Sequence, residues 1–502
     1  MAEPVAALEL ALHPDDAARL PRVAELLRLR AGRARATPLD LVWYDTPDGA
    51  LSGAGQSLCE RRLGRDTIWR LERLRGTVEN PWPPGTPAPL VAEAPLPAAL
   101  PDLPAPLLPV AAFSGRVRGV PLAAEAAPLA VTLLSGSLRA VAGERPICRL
   151  LLAGPPDRLE PLMLALATTL RLSVPAASLA AEAYAVAGRK IPPRAAGAPE
   201  LSADITVADA FVRVAGHLAC ALLHWAPLAA RDAAEPVHQM RVALRRLRSA
   251  TSLFRRAVGG PELDAVTADL GALARMLAPA RDRDVFSAGT GRAVGASFPH
   301  DRAVARLLAA AERQRLAAYV ALRAHLEGPA FRLLGLRLAG LVAFPPWQRA
   351  TPPGAADDDV AAKQAALRAA PVAEFAAKAL ARRLERLLAA GDDLSALPVE
   401  ALHAIRIQGK RLRYAAEFFA PLFPRKETRR FLRRVAALQE RLGHLNDGAV
   451  AEALMAELGG GGKERAMAVG IVRGFVAAGL RQARAKSERS WRKLRRLEPF
   501  WA

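Results

Sequence analysis

The sequence predicts an α+β multidomain protein in which a mixed N-terminal region precedes an all-helical one. Three observations carry that expectation. Residues 1–185 hold short apolar runs bounded by Gly, Pro and Asp, whereas long Ala/Leu/Arg segments with three- and four-residue apolar spacing run from about residue 204 to the end. Charge divides at the same place. Residues 1–200 carry 22 cations against 20 anions and residues 201–502 carry 48 against 29, within a net charge of +21. Finally, one basic stretch of the helical region recurs further on.

In chain order, "DLVWYDTP", "TIWRLERL", "LAVTLLSG" and "PICRLLLAG" read as strands, and "DDAARLPRVAELLRL" and "PDRLEPLMLALATTL" as helices. Residues 1–186 form a first domain. A linker over 187–203 follows by composition, within "AGRKIPPRAAGAPELSAD". The helical domain, 204–502, is split by "FPPWQRATPPGAADDD" into 204–345 and 360–502, and four glycines at 459–462 read as a loop. The chain is 52% hydrophobic, enough for sizeable cores, which excludes wholesale disorder. Cys59, Cys148 and Cys220 have no metal-ligand spacing and fit a reducing compartment. No secretory signal and no stretch of about 20 apolar residues is evident, so the reading is a cytoplasmic protein with no membrane partner.

The recurrence is specific. "HQMRVALRRLRSATSLF" (238–254) lies over "HAIRIQGKRLRYAAEFF" (403–419) at an offset of 165, with seven of seventeen positions identical. His238 matches His403, Arg241 Arg406, Arg246 Arg411, Arg248 Arg413 and Phe254 Phe419, while Arg245 matches Lys410. The offset persists without a gap to "LGALARMLAPARDRDV" (270–285) over "VAALQERLGHLNDGAV" (435–450). On a helical wheel His238, Arg241, Arg245, Arg248 and Arg256 share an arc of about 80°, beside an apolar arc of Met240, Leu244, Leu247 and Phe254. His403, Arg406, Lys410 and Arg413 repeat the stripe, with Glu417 continuing it. Pro236 suits the first turn of the first helix and Pro398 that of the second.

Arginines one turn apart repel by a few tenths of a kcal/mol per pair. An anion relieves that repulsion, and guanidinium suits phosphate oxygens. A histidine among them has a lowered pKa until the anion arrives. Three readings compete: a solvated basic face, a nucleic-acid binder, and a groove for a flexible phosphate polymer. Keeping His and Arg in register across a duplication argues against the first. Aromatic residues at 5%, with no recognisable reading motif, argue against the second. Asp282, Asp284 and Asp447 read as partners of arginines or helix caps rather than metal ligands.

These residues resemble the CHAD domain, the conserved-histidine α-helical domain. "VHQMRVALRRLRSATSLFRR" with "LAPARDRDV", and "LHAIRIQGKRLRYAAEFF" with "LQERLGHLND", carry the resemblance across roughly 203–501, to the closing "EPFW". It implies two pseudo-symmetric four-helix bundles that bind inorganic polyphosphate and associate with polyphosphate granules. The implied binding positions are His238, Arg241, Arg245, Arg246, Arg248, His403, Arg406, Lys410, Arg411 and Arg413. Ala278 departs from the family's glycine. Residues 1–186 are similar to a CYTH domain through "WYDTPDGALSGAGQSLCERR". That implies a closed antiparallel β-barrel, or tunnel, whose carboxylates hold a divalent metal and whose cations hold a triphosphate. Here the pattern is depleted. The family's opening Glu-x-Glu-x-Lys reads Ala7, Glu9, Ala11; the late strand has Arg149 and Leu151; the terminal Ser-Lys pair is Ser178–Leu179. Arg61, Arg73, Arg116 and Arg118 are left to line a tunnel. The expectation is therefore a polyphosphate-binding protein with a degenerate barrel, no catalytic or metal-binding residues and no cofactor. A CYTH-type metal-dependent phosphatase and a nucleic-acid-binding protein are the alternatives.

Overall fold

The computed structural model describes residues 6–74, 84–95, 106–123, 128–189, 201–348, 358–394, 397–459 and 462–501. Most of the expected linker, the centre of the 344–359 break and Gly460–Gly461 lie outside the described residues. The strands are β1 (Ala6–Leu12), β2 (Ala36–Asp45), β3 (Gln56–Leu63), β4 (Asp66–Arg73), β5 (Leu90–Ala94), β6 (Leu108–Val120), β7 (Ala130–Ala140), β8 (Gly143–Gly154) and β9 (Leu172–Ser173), with helices α1 (Ala24–Leu29), α2 (Ala50–Gly53), α3 (Pro156–Thr169) and α4 (Leu179–Val186) among them. Helices alone follow: α5 (Val207–Ala229), α6 (Ala234–Val258), α7 (Pro261–Phe286), α8 (Arg292–Ser297), α9 (Arg302–Glu327), α10 (Pro329–Ala343), α11 (Asp358–Ala369), α12 (Val372–Leu388), α13 (Val399–Phe419), α14 (Arg425–Leu458) and α15 (Lys463–Arg495).

Two compact units result. The first comprises 1–197, 216–224 and 327–355; the second comprises 198–215, 225–326 and 356–502. This division does not coincide with the one read from composition, because α10 joins the first unit. There Gly340 admits the Glu160 carboxylate of α3: a Cβ at Gly340 would lie 2.7 Å from Glu160 Oε1.

The first unit is a nine-stranded antiparallel sheet in the order β5-β4-β3-β2-β6-β7-β8-β1-β9. The described pairings leave β5 and β9 as its edges. Side-chain alternation gives each strand two faces. On β1 and β8, Leu8, Leu10, Leu150 and Leu152 are completely buried, and Glu9, Arg149 and Leu151 turn to the opposite, concave face. Gly115 and Gly136 stand opposite each other there, where a Cβ on either would come within 2.6–2.7 Å of the Phe113 ring. The "YDTP" segment has a mechanical role. Buried Asp45 accepts from the backbone N–H of Thr46 (2.8 Å) and Leu51 (3.0 Å) and from Ser52 Oγ (2.7 Å), which shapes the β2–β3 connection. Tyr184 Oη donates to Tyr44 O (2.6 Å) and ties α4 to the same point.

The second unit keeps the 165-residue offset in three dimensions. Val207 N donates to Ala370 O and Val372 N to Ile205 O, both at 3.0 Å, so Thr206 bridges to Pro371, its own repeat mate. Phe254 meets its mate Phe419 at 6.0 Å, and Phe211 and Phe375 flank Phe254 at 5.6 and 5.2 Å. Pro236 sits in the first turn of α6 and Pro398 caps α13. One expectation needs correction. By length and composition α5 is apolar enough to cross a bilayer, although 56% of its apolar window is buried inside the protein, as in a core helix.

Phe254→Ala removes a ring from the centre of this aromatic cluster and should cost about 3–5 kcal/mol. Denaturant titration followed by far-UV circular dichroism checks it; a cost within about 0.5 kcal/mol of zero, as for surface positions, would mean the cluster does not hold the copies.

Candidate anion-binding site

Apolar positions on α6 (Met240, Leu244, Leu247, Phe254) and on α13 (Leu402, Ile405, Leu412, Phe419) are buried and fix the rotation of each helix. The adjoining stripes are thereby forced toward each other. His238, Arg241, Arg245, Arg406 and Lys410 lie close enough to act on one another's protonation, with Arg281 of α7 beside them. Facing these six basic side chains are Asp282, whose Oδ1 is 3.9 Å from Arg241 Nη2, Asp447 near Arg406 and Lys410, and Glu235 beside His238.

Protonation reflects the crowding. Burial first, then Arg406, Arg245 and Arg241, press the Lys410 ammonium down to about 7. Burial and Arg281 hold His238 below the ordinary histidine value. Burial likewise pulls Arg241 and Arg406 down against the opposing pull of Asp282 and Asp447. Arg245 Nε is buried without a hydrogen-bond partner among the described residues. Helix approach behind the cluster depends on Gly409. A Cβ there would lie 2.1 Å from Gln439 Nε2, and that amide donates to Arg406 O (3.2 Å). The equivalent pair in the first copy is Leu244 and Ala274, an inverted division of volume between the helices.

Not every expected residue joins. Arg246 and Arg413 are both held by the part-buried Glu417, at 2.6 and 2.8 Å, and so serve the α6–α13 contact. Arg411 lies instead beside Arg383 of α12. His403 and Arg248 are exposed, and no contact places them in the cluster. Arg281 was not anticipated; its one signal is its place in "ARDRDV", next to Asp282. Asp284 is buried, accepting from Tyr319 Oη (2.7 Å) and Arg315 (3.2 Å).

The first unit has a separate cavity of about 250 Å³ on its concave face, lined from β1, β2, β3, β4, β6, β7, β8 and the start of α4. Glu9, Arg149 and Leu151 line it as alternation predicts, Arg61, Ser178 and Leu179 line it as the resemblance implies, and Arg70 and Glu72 join them. Arg73, Arg116 and Arg118 do not. Their neighbours Glu72 and Val117 face inward, so these three point away. Three arginines here meet glutamates. Arg149 lies 3.3 Å from Glu9 and 2.6 Å from Glu182 of α4, Arg145 bonds Glu182 at 2.7 Å, and Arg70 lies 3.4 Å from Glu72 and 2.9 Å from Glu93. Burial raises the pKa of Glu9 and of Glu72. A divalent cation needs ionised oxygens free to turn toward it. These carboxylates are engaged by arginines and pushed toward protonation, so the residues present do not fit such a metal.

The family model for the CHAD domain matches residues 213–456. Over those residues the chain carries a CHAD domain. The crystal structure of the CHAD domain from the plant Ricinus communis is similar at 29% identity, covering 60% of this chain and 96% of that one, with a TM-score of 0.50. PptA from Streptomyces chartreusis is 17% identical over 57% of this chain and 99% of its own, with a TM-score of 0.41. A Hippeastrum protein described as an adenylyl cyclase with a dominant triphosphatase activity is 12% identical over 38% and 98%, with a TM-score of 0.28. No curated protein matches. The CHAD match contains both basic helices, so the cationic cluster belongs to it.

Because the fold depresses the Lys410 pKa, the unfolded chain binds more protons than the folded one between pH of about 7 and the ordinary 10.5. The anion-free protein should therefore gain stability as pH rises across that window. Lys410→Met should raise the midpoint of unfolding near pH 6 by a few degrees and flatten the gain. A lowered midpoint with an unchanged pH dependence would show that Lys410 is not held against its charge.

Proposed function

We propose that this protein binds inorganic polyphosphate through the CHAD-domain cluster of Arg241, Arg245, Arg281, Arg406 and Lys410, with His238 at its edge. The observation that carries the reading is the convergence of six basic side chains, drawn from both copies of the repeat, against three carboxylates. The meeting of offset mates at Thr206–Pro371 and Phe254–Phe419 supports an approximate two-fold relation between two helical bundles, with the groove where the basic helices come together. Such a groove suits a flexible polymer that offers repeated charge and no bases. The resemblance to CHAD domains extends the proposal to a cytoplasmic protein at polyphosphate granules. In this reading the CYTH-like sheet is a companion with compensated charge.

Phosphate charge then dominates affinity, and log K should fall linearly with log salt. Arg241→Ala with Arg406→Ala should weaken polyphosphate binding by about 10- to 100-fold, or about 1.4–2.8 kcal/mol, with the helical content intact. Unchanged affinity in a titration of that double variant would sink the groove. Duplex or single-stranded nucleic acid at equal charge concentration should fail to displace long-chain polyphosphate; displacement would favour a nucleic-acid binder.

A hydrolase reading rests on Glu9, Glu72 and three arginines sharing the first unit's cavity. With those carboxylates committed to ion pairs, tripolyphosphate supplied with Mg²⁺ or Mn²⁺ should release no phosphate. Release that disappears on Glu9→Gln would reverse this conclusion.

A further inference from the structure

The opposite flank of α13 carries a second group of cations outside the cluster described above. The Phe375 ring meets Phe419 at 6.2 Å near the start of α12 and the end of α13, and Leu387 Cδ1 lies 3.9 Å from where a Gly409 Cβ would stand. Running between those two contacts, the helices are antiparallel, and Arg383 falls opposite residues 411–413. Arg411 is indeed the nearest-acting charge on Arg383, followed by Arg386 and Arg382 of its own helix. Among the described residues none of these four arginines has a carboxylate within ion-pair distance. Arg383 is part-buried, so its guanidinium is not simply solvated, and burial with the three arginines pulls it down to about 10.

Duplication alone does not produce this group. At the 165-residue offset the first copy has His217, Leu218 and Ala221 in place of Arg382, Arg383 and Arg386. Arg246, the mate of Arg411, is closed off by Glu417 at 2.6 Å. So one copy neutralises the position and the other assembles cations around it. Lys410 and Arg411 are consecutive on α13, about 100° apart on the helix. The two groups thus flank one helix and are separated by its width.

We infer that Arg382, Arg383, Arg386 and Arg411 form a second phosphate-binding station, reached by a polyphosphate chain that already occupies the first cluster and continues over α13. This rests on the proposed polyphosphate binding and adds a consequence to it: affinity grows with chain length, because the second contact is made intramolecularly. A tripolyphosphate fits one station; a long chain spans both.

The test is calorimetric titration of the full-length protein with tripolyphosphate and with long-chain polyphosphate, at two salt concentrations. Arg383→Gln with Arg411→Gln should leave tripolyphosphate affinity and stoichiometry unchanged, lower long-chain affinity about tenfold, and shrink the salt slope by about 1.4, at about 0.7 per phosphate neutralised. Arg382→Gln with Arg386→Gln, both exposed and without risk to folding, should act in the same direction. Unchanged long-chain affinity and slope in both variants would overturn the second station, as would an equal loss for tripolyphosphate. If wild-type protein binds no polyphosphate of any length, the underlying reading fails instead.

Discussion

The contact between Phe254 and Phe419 is the constraint from which the helical unit's chemistry follows. Each is fully buried, and burying a side chain of this size is favourable by about 1.5–3 kcal/mol. Gathering part-buried like charges opposes it, as the depressed Lys410 shows. Apolar burial wins, and because the rings sit on the same helices as the basic stripes, closing the core drives Arg241, Arg245, Arg406 and Lys410 together. The cations cannot separate without opening the aromatic cluster. Lys410 shows the cost: its proton is held far less tightly than in water.

Carboxylates decide which cations remain available. Glu417 accepts from Arg246 and from Arg413, converting two of the most basic positions into a clasp between α6 and α13. Asp282 and Asp447 stand near the cluster without matching its charge. The first unit follows the opposite policy. Glu9, Glu72, Glu93 and Glu182 answer Arg70, Arg145 and Arg149 at close range in and around the cavity. One chain thus carries an arginine cluster with fewer carboxylates than basic groups and a cavity where Arg70 and Arg149 each meet glutamates.

Much of this was legible in the residues. The offset of 165 gave the duplication, and wheel angles gave the stripe that holds 238, 241, 245, 406 and 410; they also put Arg248, His403 and Arg413 on it, and these lie outside the cluster. The same wheel places Arg246 and Arg411 about 80° from His238 and His403 on the far side from Arg241 and Arg406; family resemblance put them in the site, and they meet Glu417 and Arg383 instead. Strand alternation in "ALELA" and "PICRLLLAG" gave Glu9, Arg149 and Leu151 correctly. It failed for Arg116 and Arg118 because they neighbour Val117, the residue that faces in, and no sequence pattern marks which parity is inward on an uneven strand. Glu182 was invisible as a partner of Arg149, since 33 residues and a helix separate them. Assignment of α10 to the first unit was hidden for the same reason: its glycine-to-glutamate approach joins positions 180 residues apart.

The central claim is that the cluster is built against its own charge and is relieved by an anion. Proton uptake on binding tests that most directly. Polyphosphate is titrated at pH 8 in buffers of different ionisation enthalpy. With Lys410 near a pKa of about 7 in the anion-free protein and returned toward its ordinary value by phosphate, close to one proton should be taken up per site, and Lys410→Met should abolish the uptake. Binding without proton uptake would contradict the account.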